Sequence, residues 1–138
     1  MKSIKRFVII LSLFIVSNHS IAQVDSNETT EASEELNIVQ FEKDTLFIIS
    51  GYLGPYSPEE RSSRIKEEIR KLLLGHLEAD SLKASVNNGL QVIQYEDQIL
   101  ASVTAEDADY YDMSEEELRD QWLQHLKEFV VVYQTTNH

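Results

Sequence analysis

The first pattern in the chain that predicts folded structure is a pair of apolar runs separated by a short polar segment. Ile38–Phe41 is followed by the polar residues 42–44, and a nearly continuous apolar run then extends from Thr45 to Leu53. Short apolar runs on either side of a polar turn are typical of a β-hairpin. The near-continuous apolar character of 45–53 favours a strand that is covered on both faces or lies centrally in a sheet.

Residues 57–75 carry the pattern of an amphipathic helix with clear ends. Ser57 stands at the N-cap position, Pro58 at the first helical position and Glu60 three residues after the cap, which are strong start signals. Gly75 is suited to end the helix. Apolar residues recur at helical spacing on one face, namely Ile65, Ile69, Leu72 and Leu73.

Three further strands are predicted after this helix. They are Leu82–Val86, Leu90–Tyr95 and Gln98–Val103, joined by the short turns Asn88-Gly89 and Glu96-Asp97. Asn-Gly is the strongest of these turn signals because both residues tolerate the positive φ that a tight hairpin turn requires. The segment is therefore expected to form an antiparallel meander.

A second amphipathic helix is predicted to begin at Ser114, which is followed by Glu117 at the capping-box position. Its apolar face consists of Leu118, Trp122, Leu126, Phe129 and Tyr133. The predicted order ββαβββα indicates an α+β fold, an antiparallel sheet with two amphipathic helices packed on one face. We expect a single domain over residues 38–134, followed by a polar tail at 135–138.

The N-terminal residues have the features of an export signal. Lys2, Lys5 and Arg6 precede the apolar run Phe7–Val16, and Ser20-Ile21-Ala22 offers small residues at the positions that a signal peptidase recognises. We expect a cleaved signal peptide over residues 1–22. A retained anchor is the alternative, but about 10 apolar residues span only about half of a bilayer core of about 30 Å.

Residues 23–37 are rich in acids and contain no aromatic residue and almost nothing to bury, which predicts a flexible acidic leader. The net charge of −12 becomes −15 when the three positive charges of residues 1–22 are removed. Neither nucleic acid nor an anionic membrane surface is expected as a partner, because both attract clustered Lys and Arg. The absence of cysteine excludes disulfides and thiolate chemistry. The domain must therefore be stabilised by its core.

A cluster of acidic residues lies before and at the start of the last predicted helix, and it is a candidate calcium site. It contains Glu106, Asp107, Asp109, Asp112, Glu115, Glu116 and Glu117. These residues supply enough oxygen ligands for Ca²⁺, but they lack the glycine and the ligand spacing of an EF-hand loop. Helix capping and complementation of the helix dipole are the favoured explanation, and calcium remains the alternative. No metal, cofactor or catalytic residue is predicted.

Four tyrosines flank the two segments that precede the two helices. They are Tyr52, Tyr56, Tyr110 and Tyr111. Tyrosine is enriched at interfaces because it joins apolar area to a polar tip, so these residues predict an interaction surface. The alternative is that Tyr52 and Tyr56 only close the edge of the core. An enzyme is not expected, since the chain has neither a nucleophile-elbow motif nor a glycine-rich phosphate loop.

The order of several short motifs resembles a known family. They are Thr45-Leu46-Phe47, Gly51 to Gly54, Ser57-Pro58-Glu59-Glu60-Arg61, Asp80-Ser81-Leu82 and the run from Ile99 to Ala108. The succession is similar to the extracytoplasmic domain that precedes the membrane helices in many bacterial small-conductance mechanosensitive ion channel proteins. The resemblance covers roughly residues 38 to 133.

The resemblance implies a periplasmic accessory or sensory domain of a mechanosensitive ion channel family protein, at the periplasmic face of the inner membrane. It implies signature positions at Ser57, Pro58, Glu60, Arg61, Asp107 and Ala108. Arg61 is then expected to reach a carboxylate of the segment from Glu106 to Asp112, and Ala108 to allow close packing. The implied partner is the membrane portion of a channel or another envelope protein.

After residue 22 the sequence has no run of about 20 apolar residues, so this chain is not expected to conduct ions by itself. The apolar residues 129–132 are either the lead into a membrane span or a final helical turn buried against the core. The alternative function is a free-standing periplasmic binding or interaction module. Its contact surface would be formed by the loops predicted at 51–57 and 104–113.

Overall fold

The computed structural model describes residues 37–137 of the chain. Its elements, in order, are β1 (Ile38–Phe41), β2 (Asp44–Ile48), α1 (Pro58–Leu74), a 3-10 turn (Ala79–Ser81), β3 (Leu82–Asn87), β4 (Leu90–Tyr95), β5 (Gln98–Val103), α2 (Ala105–Tyr110) and α3 (Glu115–Thr136). The predicted signal peptide at 1–22 and the predicted leader up to residue 36 lie outside the described residues.

The predicted α+β class and the order ββαβββα are confirmed, with one refinement in the sheet. The strands form two antiparallel sheets, a hairpin of β1 and β2 and a meander in the order β3-β4-β5. The Asn88-Gly89 turn joins β3 to β4, and both residues have positive φ, 49° and 80°. Both long helices contact both sheets: α3 packs on β2 and on all three strands of the meander, and α1 packs on β1 and β5. The two helices therefore join the sheets into one domain.

The second strand is shorter than the sequence predicts. β2 ends at Ile48, whereas the apolar run continues to Leu53. The reason is a change of hydrogen-bond partner, since the amides of Ser50 and Gly51 donate to the side chain of Asp107 instead of to a neighbouring strand. Residues 49–57 consequently form a connecting segment that is tied to a distant part of the chain.

The start of α1 agrees with the sequence prediction. The Ser57 hydroxyl accepts a hydrogen bond from the amide of Glu60, and the Glu60 carboxylate accepts one from the amide of Ser57. This capping box satisfies two of the amides that a helix start leaves without partners. Ser57, Pro58 and Glu60 thus fix where the helix begins, and Gly75 forms its C-cap.

The short helix α2 lies where the sequence pattern predicts a loop, within residues 104–113. Thr104 and Asp107 form a reciprocal capping box that starts this helix at Ala105. The signal is visible in the sequence as a threonine followed three residues later by an acid. The helix has only six residues, so its short apolar face gives no helical period to detect.

The last helix extends two residues into the predicted polar tail. Thr135 and Thr136 both lie in α3, and their hydroxyls donate to the carbonyl of Val132. The apolar residues 129–132 surround this helix: Val130 is fully buried, whereas Val131 and Val132 are 52% and 57% exposed. Burial against the core therefore explains only part of this run. Among residues 37–137, no helix is long and apolar enough to cross a membrane.

The core lies between the two long helices, α1 and α3, and the two sheets. Trp122 of α3 is fully buried and stacks on Phe47 of β2 with ring centroids 4.6 Å apart. Phe41 and Phe129 stack at 5.2 Å where the hairpin meets the same helix. Stacked aromatic rings have preferred geometries, so they orient the two elements as well as burying apolar area. α3 is thus anchored to the hairpin at two points along its length.

Candidate functional site

The most concentrated polar arrangement in the described residues surrounds the carboxylate of Asp107. Its side chain is fully buried and accepts hydrogen bonds from the amides of Ser50 at 2.9 Å, Gly51 at 2.8 Å and Thr104 at 3.0 Å. Arg61 completes the set with an ion pair of 2.8 Å. A buried carboxylate is costly unless it is paired and hydrogen-bonded, and this one satisfies both conditions.

Arg61 connects three parts of the chain from its position in the first turn of α1. Its guanidinium donates to the carbonyl of Gly51, to the carbonyl of Ser102 at 2.7 Å and to both oxygens of Asp107. The expected contact between Arg61 and a carboxylate of the segment from Glu106 to Asp112 is confirmed. The planar fork of an arginine suits this bidentate arrangement, which a lysine cannot reproduce.

Two opposing effects set the pKa of Asp107. Burial favours the neutral acid and raises the pKa, but the hydrogen bonds from Arg61, Gly51 and Thr104 favour the charged form and outweigh burial. The pKa is therefore lower than that of an ordinary aspartate. Asp107 is ionised at neutral pH, and its charge stabilises the folded state.

Gly51 allows the backbone to approach this network closely. A Cβ atom at position 51 would lie 2.0 Å from the hydroxyl oxygen of Thr104 and 2.7 Å from a carboxylate oxygen of Glu106. A separation under 3 Å is not tolerated, so any larger residue has to displace the capping threonine. The requirement for glycine comes from this close packing, and no positive φ is involved.

The network connects the two segments that carry the exposed tyrosines Tyr52 and Tyr110. Tyr52 follows Gly51 directly and is 63% exposed, while Tyr110 is 59% exposed at the end of α2. Ser50 donates from its hydroxyl to the carbonyl of Glu106, which lies one helical turn before Tyr110. These two tyrosines are the members of the predicted surface that the structure leaves accessible.

The other two predicted tyrosines have structural contacts. Burial raises the pKa of Tyr111, and its hydroxyl accepts a hydrogen bond from the amide of Ile48 at 2.8 Å. Its ring lies edge-on to Trp122, so it closes the core. Tyr56 is half-buried, and the guanidinium of Arg64 lies 4.1 Å from the centre of its ring. The alternative of closing the core edge therefore fits Tyr56 better than Tyr52.

A cleft of about 190 Å³ lies beside the segment that carries Tyr52. It separates this segment from α1 and from β5, the outer strand of the meander. Leu53, Tyr56, Arg64 and Ile99 contribute to its walls. The cleft thus combines apolar and aromatic surface with two arginines, Arg64 and the largely buried Arg61, a composition typical of interaction surfaces.

The acidic residues before α3 have individual structural roles. Asp107 is enclosed by its network, and the carboxylate of Glu117 accepts hydrogen bonds from the amide and hydroxyl of Ser114. These bonds lower the pKa of Glu117. Within residues 37–137, no group of three or more acidic or histidine side chains is arranged to hold a metal ion. The capping explanation therefore accounts for at least these two carboxylates.

The arrangement as a whole positions backbone segments, because its charged groups do not reach the surface. Arg61 is 4% exposed and Asp107 is fully buried, and each is paired with the other. Ala108 is also buried, next to Asp107 in the core. Arg61, Asp107 and Ala108 are among the positions that the resemblance implies. The role of Gly51 is not predictable from local sequence because it depends on contacts with residues 104–107, whereas the capping role of Thr104 has a local signal in the acid three residues later.

Comparison with known proteins gives a match that covers nearly all of this domain. A family model described as Domain of unknown function (DUF8459) matches residues 38–133, which extend from β1 to near the end of α3. No curated protein and no solved structure matches the chain.

We predict that Asp107→Ala destabilises the domain strongly. The substitution leaves the buried Arg61 without its counter-ion and three amides without their acceptor, a loss of about 3–5 kcal/mol in free energy of unfolding. Urea denaturation monitored by Trp122 fluorescence measures it. Asp109→Ala, at an exposed site on the same helix, is the control and should change stability by less than about 0.5 kcal/mol. Equal stability of the two variants would contradict the role assigned to Asp107.

The carboxylate of Asp107 also determines in which direction the free energy of unfolding changes with pH. Because the pKa of Asp107 is lowered by folding, its stabilisation is complete above the unfolded-state pKa, about 3.9, and is lost as the pH falls through the folded pKa. The stability difference between the wild type and Asp107→Asn should therefore be constant from pH 7 to 5 and shrink below pH 4. A difference that persists unchanged to pH 2 would contradict this.

We also predict that Gly51→Ala is destabilising even though alanine is a small residue. The added methyl group has to displace the Thr104 hydroxyl, at a cost of about 1–3 kcal/mol. Gly75→Ala is a matched control, because a Cβ atom there would meet only carbonyl oxygens at an ordinary distance of 3.6 Å. Thermal unfolding of both variants compares them directly, and a neutral Gly51→Ala would show that the close approach is unimportant.

Proposed function

This chain belongs to the DUF8459 family, and we propose that its domain is a non-enzymatic protein-interaction domain of the bacterial cell envelope. The observation that carries the proposal is the fixed juxtaposition of two tyrosine-bearing segments. Tyr52 and Tyr110 are exposed on segments that the buried ion pair of Arg61 and Asp107 ties together. Aromatic side chains on backbone segments that are already held in place bind at low entropic cost, because little backbone freedom is lost on association.

The location in the envelope is supported by the sequence that precedes the domain. Lys2, Lys5 and Arg6 followed by the apolar run of residues 7–16 are the features of an export signal. The lack of cysteine means that the fold does not depend on the redox state of the compartment. The charge of −12 favours partners with exposed basic groups beside an apolar contact.

A second candidate is the accessory or sensory domain of a mechanosensitive ion channel family protein. The observation that favours it is that Arg61, Asp107 and Ala108, signature positions of the resemblance, lie together in the interior. Residues that are characteristic of a domain family are expected in the interior, where they determine how its elements pack. The partner would then be the membrane portion of a channel, and this domain would contribute no pore.

Photo-crosslinking in the bacterium that encodes the chain tests both proposals. A photoreactive phenylalanine analogue is placed at position 52 or position 110, and crosslinked products are isolated from the envelope fraction and identified by mass spectrometry. We expect specific products from both positions, because both side chains are exposed beside the proposed contact. Position 86 is the matched control, since Val86 is 57% exposed on a different element.

The identity of the partner separates the two candidates. A protein with several membrane spans and a channel domain, captured from 52 and 110 but not from 86, would support the channel proposal. A soluble or single-span envelope protein with the same positional dependence would support a free-standing interaction module. Products that are equally abundant from position 86, or absent from all three, would contradict an interaction surface at the tyrosines.

A further inference from the structure

A second surface, near the C-terminal end of α3, exposes apolar side chains that the proposed function does not use. The C-terminal part of α1, the turn of the β1–β2 hairpin and the last turns of α3 enclose a groove of about 250 Å³. We refer to its apolar lining as the apolar end patch, which consists of Phe41, Leu73, Leu74, Phe129, Val132 and Tyr133. Leu74 is 76% exposed and Val132 is 57% exposed.

The exposure of this patch is unusual for the domain. Leu74 is the most exposed of the large apolar side chains in the part of the chain that the structure describes. Isolated exposed apolar residues need no explanation, but here Leu74 and Val132 border the same groove as four partly buried apolar side chains, an arrangement that suits an interaction site. Phe41 and Phe129 already stack on each other at the base, so the floor of the groove is fixed before any partner arrives.

The rim of the groove carries charges of both signs. Glu42 and Asp44 line it on the hairpin side, and Arg70 lines it on the α1 side. Arg70 pairs with Glu67 at 3.0 Å, but both side chains are more than half exposed, and such surface pairs contribute little. Arg70 can therefore exchange this partner for another carboxylate with little loss of free energy.

We propose that the apolar end patch binds a second copy of this chain through a two-fold symmetric interface. In such an interface both copies use the same surface. If one residue of the first copy contacts another residue of the second copy, the same contact also occurs with the two copies exchanged. The exposed Leu74 and Val132 of one copy enter the groove of the other. Arg70 of each copy then faces Glu42 and Asp44 of its partner, which makes the rim complementary to itself.

Charge distinguishes a second copy from other occupants. The chain carries a net charge of −12, yet the groove places a cation opposite two carboxylates, as self-association requires. A basic partner would not need Arg70, and an anionic membrane would be repelled by Glu42 and Asp44. Long-range repulsion between two acidic copies is screened beyond about 8 Å at physiological ionic strength, whereas contacts inside the rim remain.

Sedimentation equilibrium of the full chain, in the form that the cell yields, tests the proposal. We expect a reversible monomer–dimer equilibrium that Leu74→Glu or Val132→Glu weakens at least tenfold. Val86→Glu is the control, because Val86 is as exposed as Val132 but lies outside the patch. Circular dichroism verifies that each variant is folded, which is expected since all three side chains are exposed.

A charge exchange provides the sharper test of symmetry. Arg70→Glu alone and the pair Glu42→Arg with Asp44→Arg should each abolish self-association, because each places like charges across the rim. Mixing the two variants should restore a dimer that contains one copy of each, since both charge contacts are then complementary. No other occupant of the groove predicts this restoration.

Three results would overturn the proposal. The first is a wild-type chain that stays monomeric at about 1 mM, a concentration at which even weak interfaces associate. The second is a dimer that is insensitive to Leu74→Glu and Val132→Glu. The third is a monomer that sediments with neutral phosphatidylcholine vesicles in a manner that Leu74→Glu abolishes, which would assign the patch to lipid.

Discussion

A buried carboxylate requires compensation, and the compensation of Asp107 determines how this domain is assembled. Burial removes this charge from bulk water, and the protein supplies hydrogen-bond donors in its place. The donors belong to the segment after β2, to the end of β5 and to α1, which are far apart in sequence. Satisfying one side chain therefore fixes the relative positions of three elements.

This constraint explains several features that otherwise look unrelated. β2 stops early because the amides beyond it bind Asp107, and Gly51 is required because those amides must come close to Thr104. α2 exists as a helix because Asp107 also completes its capping box. Breaking a buried pair is far more costly than its net contribution to stability, so the network specifies one arrangement strongly.

The sequence predicted the parts of the fold that depend on local signals. The capping boxes at Ser57 and Ser114, the Asn88-Gly89 turn and the two amphipathic faces all rely on residues close in sequence, and the structure contains them. The end of β2 and the role of Gly51 depend on contacts across more than 50 residues, which no local pattern encodes. The exposure of Leu74 was equally hidden, because Leu72, Leu73 and Leu74 are consecutive and the pattern does not show which of them leaves the apolar face.

The two surfaces assigned to binding differ in how the fold supports them. The surface of Tyr52 and Tyr110 depends on the buried ion pair of Arg61 and Asp107. The apolar end patch depends on the stacked rings of Phe41 and Phe129, where the hairpin meets the C-terminal half of α3. Each can therefore be altered without disturbing the other. The two proposed contacts, a partner at one surface and a second copy at the other, therefore do not compete for the same residues.

The most direct test of the central claim is a double-mutant cycle on Arg61 and Asp107. Free energies of unfolding are measured for the wild type, Arg61→Met, Asp107→Ala and the double variant. The account predicts that Arg61→Met costs much less once Asp107 is absent, with a coupling free energy of about 2–3 kcal/mol. Additive effects of the two substitutions would show that the residues act independently and would contradict the account.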